Sequence, residues 1–387
     1  TILKERKRVI INFLIIIQEK MRIGIDAHML GDHSGGNESF YSNILANFKK
    51  STNDDYFLFV YEGIDTQKFQ NVFEIINLKE KSAFKRNFFE LPRLCKKYKL
   101  DLLHTQYFIP FKKSCKYVCT IHDICFEHFK NIFTKKEYFI QKTLIPYAAR
   151  KSELIFTVSE HAKKDICSTY NIENKKVEVV YNAVNGEFRK LKKNDLDEKK
   201  TREKYGIGEN KYVLSVGNLQ PRKNIPALIR AFNMYKQKNN CDCKLVIVGK
   251  KAWMYNEIIS SAINNSNDII FTDYVEQNDL IRIYNMATCF VYPSIYEGFG
   301  IPPLEAMACG VPVAVAKTSA LPEVVGNAGL YFDPYDEVEI ADSIKTLMED
   351  NLKREELINK SQEQLEKFSW SESANKLQLA YKKVLDR

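Results

Sequence analysis

No apolar run in this chain is long enough to cross a bilayer. The longest near the start, "VIINFLIII" at residues 9–17, falls well short of the roughly 20 residues that a spanning helix needs. It follows a basic cluster, as in a secretory signal, but no small-residue cleavage site comes after it. Residues 1–20 are therefore expected to form an extension outside the fold, with Met21 opening the first strand in "MRIGIDAHML". A paired-cysteine framework is also missing. The nine cysteines suit reduced thiols in a cytoplasmic protein rather than a secreted disulfide scaffold. Cys115, Cys119, His122, Cys125 and His128 resemble metal ligands in spacing. Alternation along a strand would turn Cys119 and His122 to opposite faces, so small core thiols are the plainer reading and no metal site is expected.

Two nucleotide fingerprints are absent as well. There is no Gly-x4-Gly-Lys-Ser/Thr, and no complete Gly-x-Gly-x-x-Gly follows the first strand, which argues against P-loop and dinucleotide chemistry. No acid pair sits at a strand end to hold a divalent ion. "DLD" at 195–197 lies in a charged connector and reads as solvated linker. No nucleic-acid-reading motif accompanies the basic charge, so no nucleic-acid partner is expected. Repeats of solenoid length are not seen.

What remains is an ordinary globular composition, 45% hydrophobic and 28% charged, in a chain of 387 residues that is long for one core. The net charge is +9, and all of it lies in the first half: residues 1–185 hold 30 basic and 21 acidic residues. Either a solubilising surface or an anionic partner of that half accounts for it. Strand-like runs "RIGIDA", "DLLHTQ", "YVCTIHD", "LIFTVS" and "VEVVYNA" precede residue 185, and "KYVLSVG", "KLVIVGK", "DIIFTDY", "CFVYPS" and "VPVAVA" follow it. Helical patterns between them argue for two doubly wound α/β domains with parallel sheets, at 21–185 and 186–365, binding ligands at the carboxyl ends of their strands.

Three glycine turns precede helices at such strand ends. Gly35-Gly36 opens the first. In "SVGNLQPRKNIPALIRAF", Arg222 and Lys223 stand at the start of a helix, where its N-terminus and the two cations attract one anion. In "YPSIYEGFGIPPLEAMACGVP", Glu297 and Glu305 flank a Gly-Phe-Gly turn whose Pro302 or Pro303 suits a first helical turn. Glu305 is expected in that first turn, where a carboxylate accepts two hydroxyl protons.

With these turns, and with "TIHD", "TVSEHAKKDI", "VVYNAVNGEF" and the tail "FSWSESANKLQLAYKKVL", residues 21 to about 385 resemble the GT-B glycosyltransferases of family four. The resemblance implies two Rossmann-like domains facing across a cleft, and a last helix, 366–387, that crosses back to the N-terminal domain. It implies a retaining, metal-independent transfer of a hexose from a nucleoside-diphosphate sugar, with no cofactor. Glu305 would then hold the donor's ribose and Glu297 the transferred sugar. Arg222 and Lys223 would neutralise the departing diphosphate. Backbone groups of Gly298, Phe299, Gly300 and Ile301 would face sugar and diphosphate oxygens, and Gly217, Asn218, Val275 and Leu304 would complete the donor pocket. His122 would lie near the donor sugar with Asp123 orienting its loop, and Gly35-Gly36 would face the phosphates from the other domain. That last loop continues as "GGNESFY" where the family often has Gly-Ile-Gly-Arg-Tyr, which leaves the acceptor contacts open.

"GIDAHML" with "IHDI" resembles bacterial mannosyltransferases, so GDP-mannose is the first donor expected and a UDP-sugar the next. The expected acceptor is a glycan or a lipid-linked glycan. A nucleotide-sugar epimerase or hydrolase is the alternative, followed by a dinucleotide-dependent oxidoreductase. In "SAFKRNFFELPRLCKKYK", residues 82–99, Phe84, Phe88, Leu91 and Leu94 fall at helical spacing among Lys and Arg, with Glu90 the one acid. A cytoplasmic protein lying peripherally on an anionic membrane would present such a segment. A surface helix with its rings packed on the sheet would present it too.

Overall fold

The computed structural model describes residues 20–32, 35–250 and 267–386, so the expected N-terminal extension lies outside the described residues except for Lys20. Thirteen described strands form two sheets. The first contains β1 (Met21–Asp26), β2 (Asp54–Tyr61), β3 (Phe73–Leu78), β4 (Leu102–Gln106), β5 (Lys116–Thr120), β6 (Leu154–Thr157) and β7 (Val177–Val179), in the order β3-β2-β1-β4-β5-β6-β7. The second contains β8 (Tyr212–Val216), β9 (Lys244–Val248), β10 (Ile269–Phe271), β11 (Cys289–Tyr292), β12 (Val313–Ala316) and β13 (Gly329–Phe332), in the order β10-β9-β8-β11-β12-β13. The described pairings are parallel, for example Ile25 beside His104 and Leu214 beside Phe290. Both sheets are doubly wound, as expected, and each reverses its strand order at one point: between β1 and β4, and between β8 and β11. β11 ("CFVY") and β12 ("VAVA") are buried along their whole length, which explains why they read as continuous apolar runs rather than alternating ones.

Contacts divide the chain into two compact units. One holds residues up to Thr120, Tyr147–Ile155 and Ala374 onward; the other holds Ile121–Pro146 and Phe156–Ser373. In the first, the last helix (Trp370–Leu385) contributes Tyr381, whose hydroxyl lies 2.5 Å from Nδ1 of buried His104; the other ring nitrogen of His104 lies 2.7 Å from Thr120 Oγ1. Gln378 exchanges hydrogen bonds with the backbone N–H and carbonyl of Lys49. A polar seam of this kind inside an apolar core fixes how the helix seats on the sheet, because each buried group needs its partner.

The 82–99 segment departs from the single amphipathic helix expected. Short α-helices at Ala83–Lys85 and Leu91–Lys97 are joined by a π-helical turn, Arg86–Glu90. The extra residue in that turn rotates the face. Leu91 and Leu94 are buried as expected, but Phe84 and Phe89 are each 60% exposed, and Arg86, Asn87 and Glu90 point inward instead. Glu90 accepts hydrogen bonds from the backbone N–H groups of Lys79 and Glu80, just past β3. Arg86 donates to Tyr61 Oη and lies 3.6 Å from the carboxylate of Asp26. Satisfying these buried groups outweighs burying the rings. Among the described residues, no helix is long and apolar enough to cross a membrane.

Candidate active site

The second unit gathers the sequence's charged candidates at the β8–β11 reversal. β8 ends at Val216, and the chain passes through Gly217 and a 3₁₀ turn, Pro221–Lys223, before Asn224 (φ 54°) starts the helix Ile225–Asn239. β11 ends at Tyr292 and runs through Ser294 to Glu297. Gly300 then adopts φ 101°, a conformation open to glycine, and starts the helix Ile301–Ala308. Neighbouring strands thus deliver Arg222, Lys223 and Glu297 to one place.

Glu297 is the hub. Its Oε1 accepts from Lys223 Nζ at 2.5 Å, Ser294 Oγ at 2.6 Å and Tyr292 Oη at 3.0 Å. Its Oε2 accepts from Arg222 at 2.9 Å, and its own N–H donates to Ser319 Oγ. Burial alone would raise this carboxyl's pKa, but the Arg222 and Lys223 charges overcome that and hold it down at about 2. Lys223, 8% exposed, is pushed down to about 8 by its own desolvation, with Glu297 opposing. Desolvation also presses on Arg222, yet Glu297 and Asp123 carry its pKa upward. The two cations expected for an anion are therefore held in a fixed pair by one carboxylate rather than standing free at a helix start.

Glu305 differs. It is the fifth residue of its helix, not in the first turn as expected, and it accepts a hydrogen bond from Tyr284 Oη at 2.8 Å. Part of the side chain stays open while the carboxyl lies among its neighbours, and that burial pushes it up to about 7. The sign of the resulting pH dependence follows. Glu305 is protonated in both folded and unfolded chains below pH 4.5, so no stability is lost there. Between 4.5 and about 7 the unfolded chain releases the proton first, and stability falls as pH rises. Glu305→Gln should flatten that segment of a pH–melting curve and stabilise the protein at pH 8 by up to about 3 kcal/mol. An unchanged slope would show that the carboxyl titrates normally.

His122 and Asp123 follow β5. His122 is buried, and desolvation holds its pKa near 3, so the ring is neutral at pH 7. Asp123 accepts from the Cys125 N–H at 3.0 Å; burial raises its pKa while Arg222 opposes the shift. This loop packs against Gly298 so closely that a Cβ there would fall 2.6 Å from the His122 carbonyl oxygen and 2.9 Å from Asp123 Cβ. Only glycine fits. Ser159, which caps the helix Glu160–Tyr170 through Ala162 N–H, donates to the Gly298 carbonyl at 2.6 Å.

The remaining candidates are placed as follows. Gly217 (φ 154°) passes beside the Lys223 side chain, and the Asn218 carbonyl accepts from Gln220 N–H. The side chains of Val275, Leu304 and Phe299 are buried, Phe299 against Phe368 and Tyr181, which leaves their backbones as the groups a ligand could meet. Ile301 begins its helix. Gly35 (φ 82°) and Gly36 start the helix Gly36–Ala46 in the first unit. Sequence reasoning missed Tyr292, Ser294, Ser319, Tyr284 and Ser159. Tyr292 and Ser294 stood next to the motif, but nothing in sequence ties Ser159 to a carbonyl 139 positions away. Of the cysteines near "TIHD", Cys115 has its Sγ 3.7 Å from Cys95 Sγ, and Cys119 is buried. Among the described residues, no three His, Cys, Asp or Glu side chains gather as metal ligands.

Family models match both halves: "Glycosyltransferase Family 4" over residues 59–188 and "Glycosyl transferases group 1" over 197–364. Over 274 residues the chain is 31% identical to the O-antigen chain mannosyltransferase B of Escherichia coli, covering 68% of this chain and 70% of that one. The chain is a group 1 glycosyltransferase. This glycosyltransferase is also 33% identical over 229 residues to the O-antigen chain mannosyltransferase RfbU of Salmonella typhimurium, covering 59% and 60% of the two chains. The serotype-specific mannosyltransferase WbdA of E. coli is longer, and the match, 29% identical over 67% of this chain, spans 32% of it. Among solved structures, Anabaena HepE in complex with UDP and glucose superposes with a TM-score of 0.72 at 18% identity over 94% of this chain and all of that one. WaaG superposes with a TM-score of 0.70 at 15% identity, over 92% and 98%. At these identities the structures share the GT-B fold and support nothing finer.

Proposed function

We propose that the glycosyltransferase moves mannose from GDP-mannose to a glycan or lipid-linked glycan, with retention of anomeric configuration and without a metal. The observation that carries this reading is the largely buried Arg222–Lys223–Glu297 cluster beside the Gly298–Gly300 turn. Glu297 holds buried Lys223 beside partly exposed Arg222, an arrangement in which fixed cations stabilise charge developing on a departing diphosphate. Glu297, gripped from four sides, presents a fixed carboxylate to hydroxyls of the transferred sugar, and Glu305 meets the ribose from the helix behind it. Neutral His122 lies in the loop packed on Gly298, near where the sugar would sit. The departing phosphate takes the acceptor's proton on the same face, so no covalent enzyme intermediate forms. The choice of mannose and of a glycan acceptor follows the names of relatives such as O-antigen chain mannosyltransferase B and RfbU. A lipid-linked acceptor would bring this cytoplasmic enzyme peripherally to an anionic membrane surface.

Thermal-shift measurements against GDP-mannose, GDP-glucose, UDP-glucose and UDP-N-acetylglucosamine test the donor. A ligand at 100 times its dissociation constant adds about 2.7 kcal/mol of stability. The largest shift is expected with GDP-mannose, and it should persist with EDTA. A larger shift with a UDP-sugar overturns the mannose reading; turnover abolished by EDTA and restored by a divalent ion overturns the metal-free one. Sugar released at the same rate with and without acceptor would make the protein a hydrolase.

A further inference from the structure

Outside the donor cluster, one surface of the first unit carries a run of exposed aromatic rings edged by lysines. The rings of Phe89, Phe84, Phe88, Phe111 and Tyr147 form a continuous strip. Centroid separations are 6.0 Å from Phe89 to Phe84, 4.8 Å from Phe84 to Phe88, 4.2 Å in the stacked Phe88–Phe111 pair, and 5.1 Å from Phe111 to Tyr147. Phe84, Phe89 and Phe111 are more than half exposed. With side chains of roughly 200 Å² each, they leave on the order of 300 Å² of aromatic surface in water, within the size range of a typical monomer's largest apolar patch, which is often functional. The π-helical turn is what puts two of them there, because it spends the inward positions on Arg86, Asn87 and Glu90. Exposed lysines edge the strip: Lys85 beside Phe84, Lys112 after Phe111, and Lys113 and Lys151, which share a hollow with Phe111 and Tyr147. Glu153, paired with Lys113, is the one acid in that hollow.

We infer that this strip inserts into the headgroup region of an anionic lipid bilayer, with Phe84, Phe89 and Phe111 entering the apolar boundary and Lys85, Lys112, Lys113 and Lys151 meeting lipid phosphates. A line of separate rings edged by flexible cations suits a fluid surface, which needs no matching shape. The same patch is well below the roughly 800 Å² per partner of a standard protein interface. The inference gives the lipid-linked-acceptor reading its point of attachment and rests on it for purpose, while its test does not use transfer.

Sedimentation of the full chain with phosphatidylcholine vesicles containing rising fractions of phosphatidylglycerol provides that test. Wild-type binding should rise with the anionic fraction and weaken with salt. The Phe84→Ser, Phe89→Ser double variant should lose at least about tenfold in binding. The Lys112→Glu, Lys113→Glu variant should lose its dependence on phosphatidylglycerol. Melting curves with and without GDP-mannose, run on every variant, confirm the fold and the donor site. Wild type that stays in the supernatant at low salt overturns the inference. So does a double variant that binds as wild type does, which would assign binding to another segment. Vesicle binding without any nucleotide-sugar shift leaves the lipid surface standing and removes the mannosyltransferase reading instead.

Discussion

Lys223→Ala lowers turnover by about 10²–10³, and Arg222→Ala by a similar factor, the scale for removing one stabiliser of charge that develops in the transition state. The expectation follows from burial. Lys223 Nζ sits 2.5 Å from both Tyr292 Oη and Glu297 Oε1, so alanine removes a desolvated positive charge that a neutral water in the vacated polar space cannot replace. Glu297 would keep Arg222, Ser294 and Tyr292, so the stability loss should stay below the roughly 3–5 kcal/mol of a wholly orphaned buried charge. Lys223→Arg should not rescue turnover, since a planar guanidinium cannot occupy a site built around a single ammonium. With the Lys223 pKa near 8, wild-type turnover should also decline above that pH as the cation is lost. Single-turnover rates alongside melting temperatures check all of this; turnover within a few-fold of wild type for either alanine variant removes both residues from the mechanism.

The two glutamates separate by ligand. Glu297→Gln is expected to cut transfer by about 10² while affinity for free GDP holds or rises. The substitution removes the anion that competes with a phosphate for Arg222, while Lys223, having lost the charge that holds its pKa up near 8, is recharged by the incoming phosphate instead. Glu305→Gln should instead weaken GDP and GDP-mannose alike, because its target is the ribose common to both. In wild type that contribution should strengthen as pH rises through about 7, where the carboxyl ionises. Calorimetry with the two ligands separates these outcomes. Parallel losses for both ligands in both variants would mean that neither glutamate has the role given to it.

Much of this could be read from the chain. The strand ends, the Arg222-Lys223 turn and the Glu297–Glu305 pair lie in contiguous stretches, where glycine, proline and β-branched runs leave a local signature. β2, β3 and β13 went unread. β2 is "DDYFLFVY", β3 is "FEIINL" and β13 is "GLYF"; the two edge strands carry weak signals, β3 because Glu74 and Asn77 interrupt it and β13 because it is only four residues long. In the 82–99 segment Leu91 and Leu94 are buried, in keeping with their spacing, but a π-helical turn interrupts the single helix expected and leaves Phe84 exposed. A π-helical turn is set by what the neighbouring elements need, here the donors after β3 that Glu90 satisfies, and no local pattern announces it.

By itself, then, the sequence determined the fold class, the family and which short motifs carry charge, since periodicity and turn chemistry are properties of neighbours along the chain. The tertiary structure alone decided how those charges act. That Glu297 clamps both cations, that Glu305 rises toward neutrality while Glu297 stays ionised, and that Gly298 must lack a side chain beside His122 depend on groups brought together from distant positions. Desolvation and short-range contact set those properties, and both depend on distance in space rather than on distance in sequence.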